Sequence, residues 1–297
     1  MGRRDARQIS ALVAAWVAAG LALLLPPARG DTQDGAPVAI VLNYEVYRAG
    51  FHILDTALAI DLGSTRFEVV GRFETRGLFG LFSPWQSTSS TEGVVTADGF
   101  VPRHHRQEGE LRGAPRRVTV EYGDGAALVR ELVPSAADED RDEVPDLLRH
   151  STVDVVSAVL TLIRAMDDGR TCNGRMPVFD GRRRFDLIVV DRGRKPFAAS
   201  QVSREHTGEA TLCEFTIQPI AGYQRPREDE GDSARWRRPR QGRAWLSPII
   251  DGVPSMPLRI ELDSAWGDTI VTLKEYGRRA GIREQDRPAV ATVGTQN

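Results

Sequence analysis

The sequence predicts a mainly β protein in which an antiparallel sheet curls into a partly open, β-barrel-like spiral around one long buried helix. Two observations predict this fold class. From Val38 onward most of the chain alternates apolar and polar residues between turn dipeptides, as antiparallel strands do. One segment, residues 151–169, has clear helical periodicity instead.

The first half of the chain is predicted to be a series of hairpins. Residues 38–62 form one hairpin with its turn at Ala49-Gly50. Asp98-Gly99 and Asp124-Gly125 are further turn dipeptides between alternating segments. The predicted strand segments after the first hairpin are TRFEVVGRFETRG, STEGVVTA, FVPRHHRQEGEL, RRVTVEYG and AALVREL.

The helical segment follows a polar, acidic stretch at residues 135–150. Ser151 with Asp154 resembles a capping box at the start of the helix, and Gly169 is a stop signal. Apolar residues surround much of the helix surface, so we expect it to be buried against a curved sheet.

Strand patterns resume after the helix, and the charged stretch between Tyr223 and Arg243 is expected to be a long exposed loop. These strand segments are RRFDLIVV, ATLCEFTIQPI, RAWLSPII, LRIELDS and TIVTLKEY. The predicted organisation is a signal peptide at 1–30, one β-rich domain at 31–276 and a polar tail at 277–297.

The first thirty residues have the features of a secretory signal. Three arginines precede the apolar run Ile9–Leu25, and Pro26-Pro27 and small residues at 28 and 30 follow it. Cleavage is predicted before Asp31, which makes the protein exported and periplasmic. The alternative is an uncleaved N-terminal membrane anchor, since the apolar run is just long enough to span a bilayer.

The charge balance argues against general nucleic-acid binding. The formal net charge of the chain is −2, and residues 1–30 carry four arginines and one aspartate, so cleavage would change the charge to −5. A mildly acidic protein is a poor binder of polyanions.

Cys172 and Cys213 are the two cysteines of the chain. An even count in an exported protein favours a disulfide between them. A bridge closing a loop of this length would stabilise the fold by about 4 kcal/mol in the chain-entropy model. The competing interpretation, a reactive thiol, has no Cys-x-x-Cys motif and no histidine near either cysteine in the sequence.

Several segments resemble the bacterial exported family catalogued as domain of unknown function 3108. They are YEVYRAGFHILD, TRGLFGLFSPW, DGFVPRHHR, RDEVP, TVDVVSAVLTLIRAM and VFDGRRRFDL, in this order, over roughly residues 38 to 276. The resemblance implies an envelope protein with an antiparallel, partly open barrel and no established activity. Similar spiral folds occur among periplasmic lipoprotein carriers and envelope-integrity factors, which suggests apolar ligands or protein partners.

Catalytic, metal and cofactor motifs are not found, so we expect a protein that is not an enzyme. His104 and His105 are adjacent on a predicted strand and therefore point to opposite faces. The acidic residues from Asp138 begin like a calcium loop, but Glu143 stands where glycine is needed and Arg149 where the last carboxylate ligand belongs. His52, His150 and His206 are scattered, and no nucleophile elbow or phosphate-binding loop is present.

Two segments are candidate contact sites. Arg182, Arg183 and Arg184 follow the predicted Asp180-Gly181 hairpin turn and either contact an anion or pair with carboxylates of the protein itself. In GLFGLFSPW the apolar residues either form an exposed lip for a lipid or partner, or fill the core. These residues are Leu78, Phe79, Leu81, Phe82 and Trp85.

The predicted function is therefore binding in the cell envelope. A lipid-like ligand or a protein segment would lie in the curved sheet, with peripheral membrane contact as a further interpretation. The alternative is a scaffold whose barrel is filled by the helix, and a hydrolase is the third class.

Overall fold

A computed structural model describes residues 38–123, 125–198, 207–225, 237–263 and 268–288. In these ranges the chain forms one antiparallel sheet of thirteen strands, two α-helices and two short 3₁₀ helices. The strands are β1 (Val38–Arg48), β2 (Phe51–Leu62), β3 (Arg66–Thr75), β4 (Trp85–Thr96), β5 (Gly99–Leu111), β6 (Ala114–Glu121), β7 (Leu128–Val133), β8 (Gly174–Phe179), β9 (Arg184–Phe197), β10 (Gly208–Ala221), β11 (Arg240–Ser247), β12 (Met256–Leu262) and β13 (Thr269–Ala280). The helices are α1 (Gly77–Phe82) and α2 (Val155–Asp167), and the 3₁₀ turns span Asp146–Arg149 and Glu284–Asp286.

The strand order is that of two meanders joined at their first and last strands. Strands β1 to β7 lie side by side in sequence order, as do β8 to β13, and β1 pairs with β13. The edges are therefore β7 and β8, which do not pair with each other, so the sheet is not closed. This confirms the predicted fold class, a curled and partly open antiparallel sheet with one long helix.

Helix α2 packs against the sheet and joins its two halves. Leu160 belongs to one apolar core with residues of β1, β3 and β13, whereas Leu162 and Ile163 belong to a second core with β8, β9 and β10. A third core lies between β6 and the end of β8. The helix is thus buried as its composition predicts, and it occupies the apolar face of the sheet.

The predicted start of α2 at Ser151 is wrong by three residues. Asp154 is the N-cap, and its side chain accepts hydrogen bonds from the backbone N–H groups of Val156 and Ser157. Helix formation begins late because Val153 is held extended by backbone hydrogen bonds with Pro177 and Phe179. The predicted stop is confirmed, since Gly169 has a φ of +77° and closes the last turn.

The C-terminal segment is more ordered than the sequence suggests. Strand β13 continues to Ala280, beyond the expected boundary at 276, and Arg287 makes two hydrogen bonds to the carboxylate of Glu68 on β3. Of the predicted loop between Tyr223 and Arg243, residues 226–236 lie outside the described ranges, as does the predicted signal peptide. Neither helix of the described chain has the length and hydropathy of a transmembrane segment.

Candidate functional site

Cys172 and Cys213 form a disulfide with an S–S distance of 2.04 Å. Both cysteines are buried in the core that α2 shares with β8 to β11. The bridge ties the segment after α2 to the centre of β10. It is typical of proteins in oxidising compartments, and it leaves neither cysteine as a nucleophile.

The arginines after the Asp180-Gly181 turn are used inside the protein. Arg182 contacts the carboxylate of Glu139 and donates to the carbonyl oxygen of Val133 at 2.7 Å, with its side chain only 11% exposed. Arg183 pairs with Asp180, and Arg184 pairs with Asp186 at 2.7 Å. Of the two interpretations of this block, the structure supports pairing with the protein's own carboxylates.

Burial and pairing act in opposite directions on these carboxylates. Burial raises the pKa of Asp180 and Asp186, but the charge and hydrogen bonds of neighbouring arginines outweigh it, so both pKa values lie below the ordinary range. The acids therefore remain ionised partners of the arginines. The arrangement attaches the β8–β9 turn to β6 and β7.

The GLFGLF segment forms the short helix α1, which projects its apolar side chains into solvent. Leu78, Leu81 and Phe82 are 69%, 77% and 80% exposed, and Phe79 is 44% exposed. The glycines explain this orientation. A Cβ at Gly77 would lie 3.1 Å from the carbonyl oxygen of His52, and one at Gly80 would lie 3.1 Å from that of Thr75.

The glycine side of α1 thus packs on backbone, and every large side chain must face outward. Trp85 does not join them, because its ring stacks on Phe73 at 5.9 Å. Its backbone N–H donates to the hydroxyl of Thr75 at 2.9 Å, which pins the base of the loop. Phe51, 70% exposed on the β1–β2 hairpin, immediately precedes His52, against which Gly77 packs. Phe51 with Leu78, Phe79, Leu81 and Phe82 is named the apolar patch below.

A cavity of about 910 Å³ opens on β1 to β6 and β13, close to α1. Register places its lining residues in rows across the strands: Glu45 lies opposite Asp55, Asp55 opposite Glu74, and Glu74 opposite Gln86. Successive side chains along a strand point to opposite faces of the sheet. Leu42 and Leu58 pack in the core and therefore lie on the face opposite to Glu45 and Asp55. The cavity is therefore on the face of these strands opposite to the helix-filled core.

The cavity lining combines many charged groups with apolar surface, such as that of Phe73 and Pro288. Six carboxylates and five cationic side chains contribute: Glu45, Asp55, Glu74, Glu108, Glu110, Glu275, Arg72, Arg76, Arg117, Lys274 and Arg287. Enclosing an acyl chain here would remove water from these groups without replacing its hydrogen bonds, which is costly. The eleven charged groups thus disfavour a lipid tail in this cavity.

A polar cluster lies where the cavity meets the β1–β2 hairpin. The Nε2 atom of His52 is 2.7 Å from Oδ1 of Asp55, and Nε of Arg76 donates to Oδ2 of the same carboxylate at 2.6 Å. The hydroxyl of Tyr47 donates to Glu45 at 2.6 Å. Partial burial and this hydrogen bond raise the pKa of Tyr47 to about 12, so the phenol stays protonated at neutral pH.

Sequence reasoning missed this cluster because it concentrated on the adjacent pair His104 and His105. Those two do point apart: His104 pairs with Glu92 at the surface, and the ring of His105 is 2.8 Å from the hydroxyl of Thr91. The available signal was the Ala49-Gly50 turn, since a hairpin there pairs residues 45–48 with residues 51–55.

Comparisons with known proteins identify a family and one similar solved structure. The family model described as a protein of unknown function, DUF3108, matches residues 43–274. A search of the curated proteins found no match. Among solved structures, the chain is similar to a β-barrel-like protein of domain of unknown function DUF1849 from Brucella abortus, with 13% identity, a TM-score of 0.48, and coverage of 83% of this chain and 99% of that one. The matched residues include every strand from β2 to β12, and the chain belongs to the DUF3108 family of proteins of unknown function.

Proposed function

We propose that this protein is a non-enzymatic binding protein of an exported, oxidising compartment, and that it docks on an anionic lipid surface through its apolar patch. The observation that carries the proposal is the exposure of Leu78, Leu81 and Phe82 on a helix whose other side is fixed to the sheet. Monomeric proteins rarely expose several large apolar side chains together without a use for them.

The position of the patch supports a surface rather than an enclosed ligand. Because β1 to β6 run antiparallel in sequence order, the β1–β2, β3–β4 and β5–β6 connections all lie at one end of the sheet. The patch belongs to the first two, and the third is attached to them by the hydrogen bond from the N–H of Arg112 to the carbonyl oxygen of Pro84 at 2.8 Å. The three connections therefore form one contiguous end of the molecule.

The charged residues beside the apolar patch favour an anionic membrane surface. Residues 48–51, 76–84 and 112–113 contain Arg48, Arg76 and Arg112 and no acidic residue. Apolar side chains flanked by arginines are typical of proteins that lie in the interface of an anionic membrane. Arg76 is paired with Asp55 and Glu74. The attraction therefore depends on Arg48 and Arg112, at about 1 kcal/mol each near an anionic leaflet, and each buried Leu or Phe adds about 1.5–3 kcal/mol.

Two further observations favour this proposal over the carrier that the resemblance suggests. The apolar face of the sheet is occupied by α2, and the large cavity is charged. Catalysis is not proposed either, since the buried polar chain of His105, Thr91 and Asp154 ends in the cap of α2.

The test is co-sedimentation with vesicles of phosphatidylcholine alone or mixed with phosphatidylglycerol, in EDTA. We expect the wild type to pellet with the anionic vesicles and the double variant Leu81→Ser/Phe82→Ser to bind at least about tenfold more weakly, from the apolar area lost. Because both side chains are exposed, the melting temperature should not change.

The matched control is Leu128→Ser/Leu147→Ser, which also removes two exposed apolar side chains, but away from the patch. It should bind like the wild type. The proposal is wrong if the wild type does not bind anionic vesicles, or if the two double variants bind these vesicles with the same affinity. If the wild type does not bind vesicles but cross-links to an envelope protein, and the patch variant does not cross-link, the patch binds a protein partner instead.

A further inference from the structure

We propose that Glu45, His52 and Asp55 form a binding site for one divalent transition-metal ion, of which Zn²⁺ is the test case. One potential ligand atom from each residue lies within 4.8 Å of the other two. An imidazole nitrogen with two carboxylate oxygens is a common ligand set for zinc and for other first-row metals. The site is independent of lipid docking, although it lies near the apolar patch.

The backbone brings these residues together through a β-bulge. Glu45 and Asp55 are directly opposite each other on β1 and β2. The register then shifts after Val46, so that Tyr47 lies opposite His52 and Ile53 has no partner. In a regular strand His52 and Asp55 would face opposite sides, and the extra residue turns His52 toward the carboxylates.

In each of the two carboxylates, Asp55 and Glu45, one oxygen atom accepts hydrogen bonds from neighbouring side chains. Asp55 accepts from Nε of Arg76 through Oδ2 at 2.6 Å, and Glu45 accepts from the hydroxyl of Tyr47 through Oε2 at 2.6 Å. The ammonium of Lys274 is 3.3 Å from the same Oε2. These contacts leave Oδ1 of Asp55 and Oε1 of Glu45 for an ion, the arrangement in which outer hydrogen bonds orient metal ligands.

His52 is oriented in the same way. Its ring stacks on that of Tyr47 with the centroids 5.3 Å apart, and its Nε2 atom is directed at Oδ1 of Asp55. An ion would take the place of the proton between these two atoms. In the neutral tautomer with its proton on Nδ1, Nε2 is free to bind the ion.

Access and charge are compatible with an ion. The side chains of Glu45, His52 and Asp55 are 28%, 34% and 39% exposed, and two of them line the charged cavity. The three carboxylates of Glu45, Asp55 and Glu74 outnumber the two paired cations, Arg76 and Lys274. Tetrahedral coordination at zinc bond lengths places ligand atoms about 3.4 Å apart. Nε2 of His52 and Oδ1 of Asp55, which are 2.7 Å apart, would therefore have to separate slightly, and the Glu45 oxygen would have to lie at a similar distance from both.

His104 provides a matched control. It is also a strand histidine beside a glutamate, with Nδ1 3.0 Å from Glu92, but it does not belong to a group of three ligands among the described residues. If any exposed His–carboxylate pair were enough to bind zinc, His104 would contribute as much as His52.

The experiment is isothermal titration of the untagged protein with ZnCl₂, without lipid. We expect one ion per chain for the wild type, and an affinity lower by about tenfold or more in His52→Ala and in Glu45→Gln. Tyr47→Phe should weaken binding less, because it removes an orienting hydrogen bond and no ligand. His104→Ala should bind like the wild type.

Two results would overturn the site: no stoichiometric binding by the wild type, or binding that His104→Ala reduces as much as His52→Ala does. Thermal unfolding of each apo variant separates loss of the site from loss of the fold, and a fixed zinc concentration should stabilise His104→Ala as much as the wild type, Tyr47→Phe less, and His52→Ala and Glu45→Gln least. Vesicle binding in EDTA reports on the proposed function alone.

Discussion

At the scale of single residues, the polar groups at the start of α2 form a connected buried chain. The ring of His105 is 2.8 Å from the hydroxyl of Thr91, which donates to the N-cap carboxylate of Asp154 at 3.2 Å. Asp154 and Thr91 are almost fully buried. Burial lowers the pKa of His105 below 6.5, and the nearby carboxylates offset this only in part.

This lowered pKa predicts sensitivity to mild acid. The folded protein binds the proton of His105 more weakly than the unfolded chain, whose histidine titrates near 6.5. As the pH falls below that value the unfolded state takes up the proton first, and the free energy of unfolding decreases. The loss due to His105 is expected below about pH 6.5, where the unfolded histidine becomes protonated.

Urea unfolding of the wild type and of His105→Gln at pH 7.5 and 5.5 measures this effect. The variant should lose less stability between the two pH values, whereas His104→Gln should lose as much as the wild type. Equal losses in the wild type and His105→Gln would show that the buried imidazole does not govern the acid response.

Residue-scale prediction from the sequence succeeded where one local rule decides the outcome. Cys172 and Cys213 were paired from their number and compartment, and Gly169 ended its helix as expected. The position of His52 could not be predicted, since it depends on a bulge that appears only once β1 and β2 are in register. The N-cap was misplaced because a backbone contact with β8 overrides the local signal at Ser151.

At the scale of elements, the β8–β9 turn connects the two edges of the open sheet through side-chain contacts, and these contacts are named the latch below. Gly181 lies against β6, where a Cβ would be 2.3 Å from a methyl group of Val118. The hydroxyl of Tyr122 donates to the carbonyl oxygen of Phe179 at 2.7 Å. Arg182 reaches β7 and Glu139, so side chains join edges that no strand ladder joins.

Removing the latch should destabilise the fold measurably. Arg182→Ala leaves a buried cluster without its central cation and is expected to lower the free energy of unfolding by about 2–4 kcal/mol. The control Arg192→Ala removes a pair with Glu214 in which both side chains are exposed, and it should cost less than about 1 kcal/mol. Chemical denaturation compares the two variants, and similar losses would contradict the latch.

The elements also differ in how well the sequence predicts them. Strand alternation and turn dipeptides locate the β1–β2 and β8–β9 hairpins, because their signals are local. For GLFGLF the sequence is compatible with both exposure and burial. Only the close approach of Gly77 and Gly80 to strand backbone decides that the apolar side chains face solvent.

At the scale of the whole molecule, the fold separates three environments. The apolar face of the sheet holds α2, the opposite face of β1 to β6 carries the charged cavity, and one end presents the apolar patch with its arginines. The fold class was predictable because it follows from the sum of many strand signals. The separation was not, since it depends on which face each strand presents after all thirteen are paired.

Hydrogen–deuterium exchange with and without anionic vesicles would show whether one end of the sheet docks on the lipid surface. The account predicts slower exchange in peptides that cover the β1–β2 turn, α1 and the β5–β6 turn, and unchanged exchange at the β2–β3 and β4–β5 turns of the opposite end. Equal protection at both ends, or protection only at the opposite end, would contradict it.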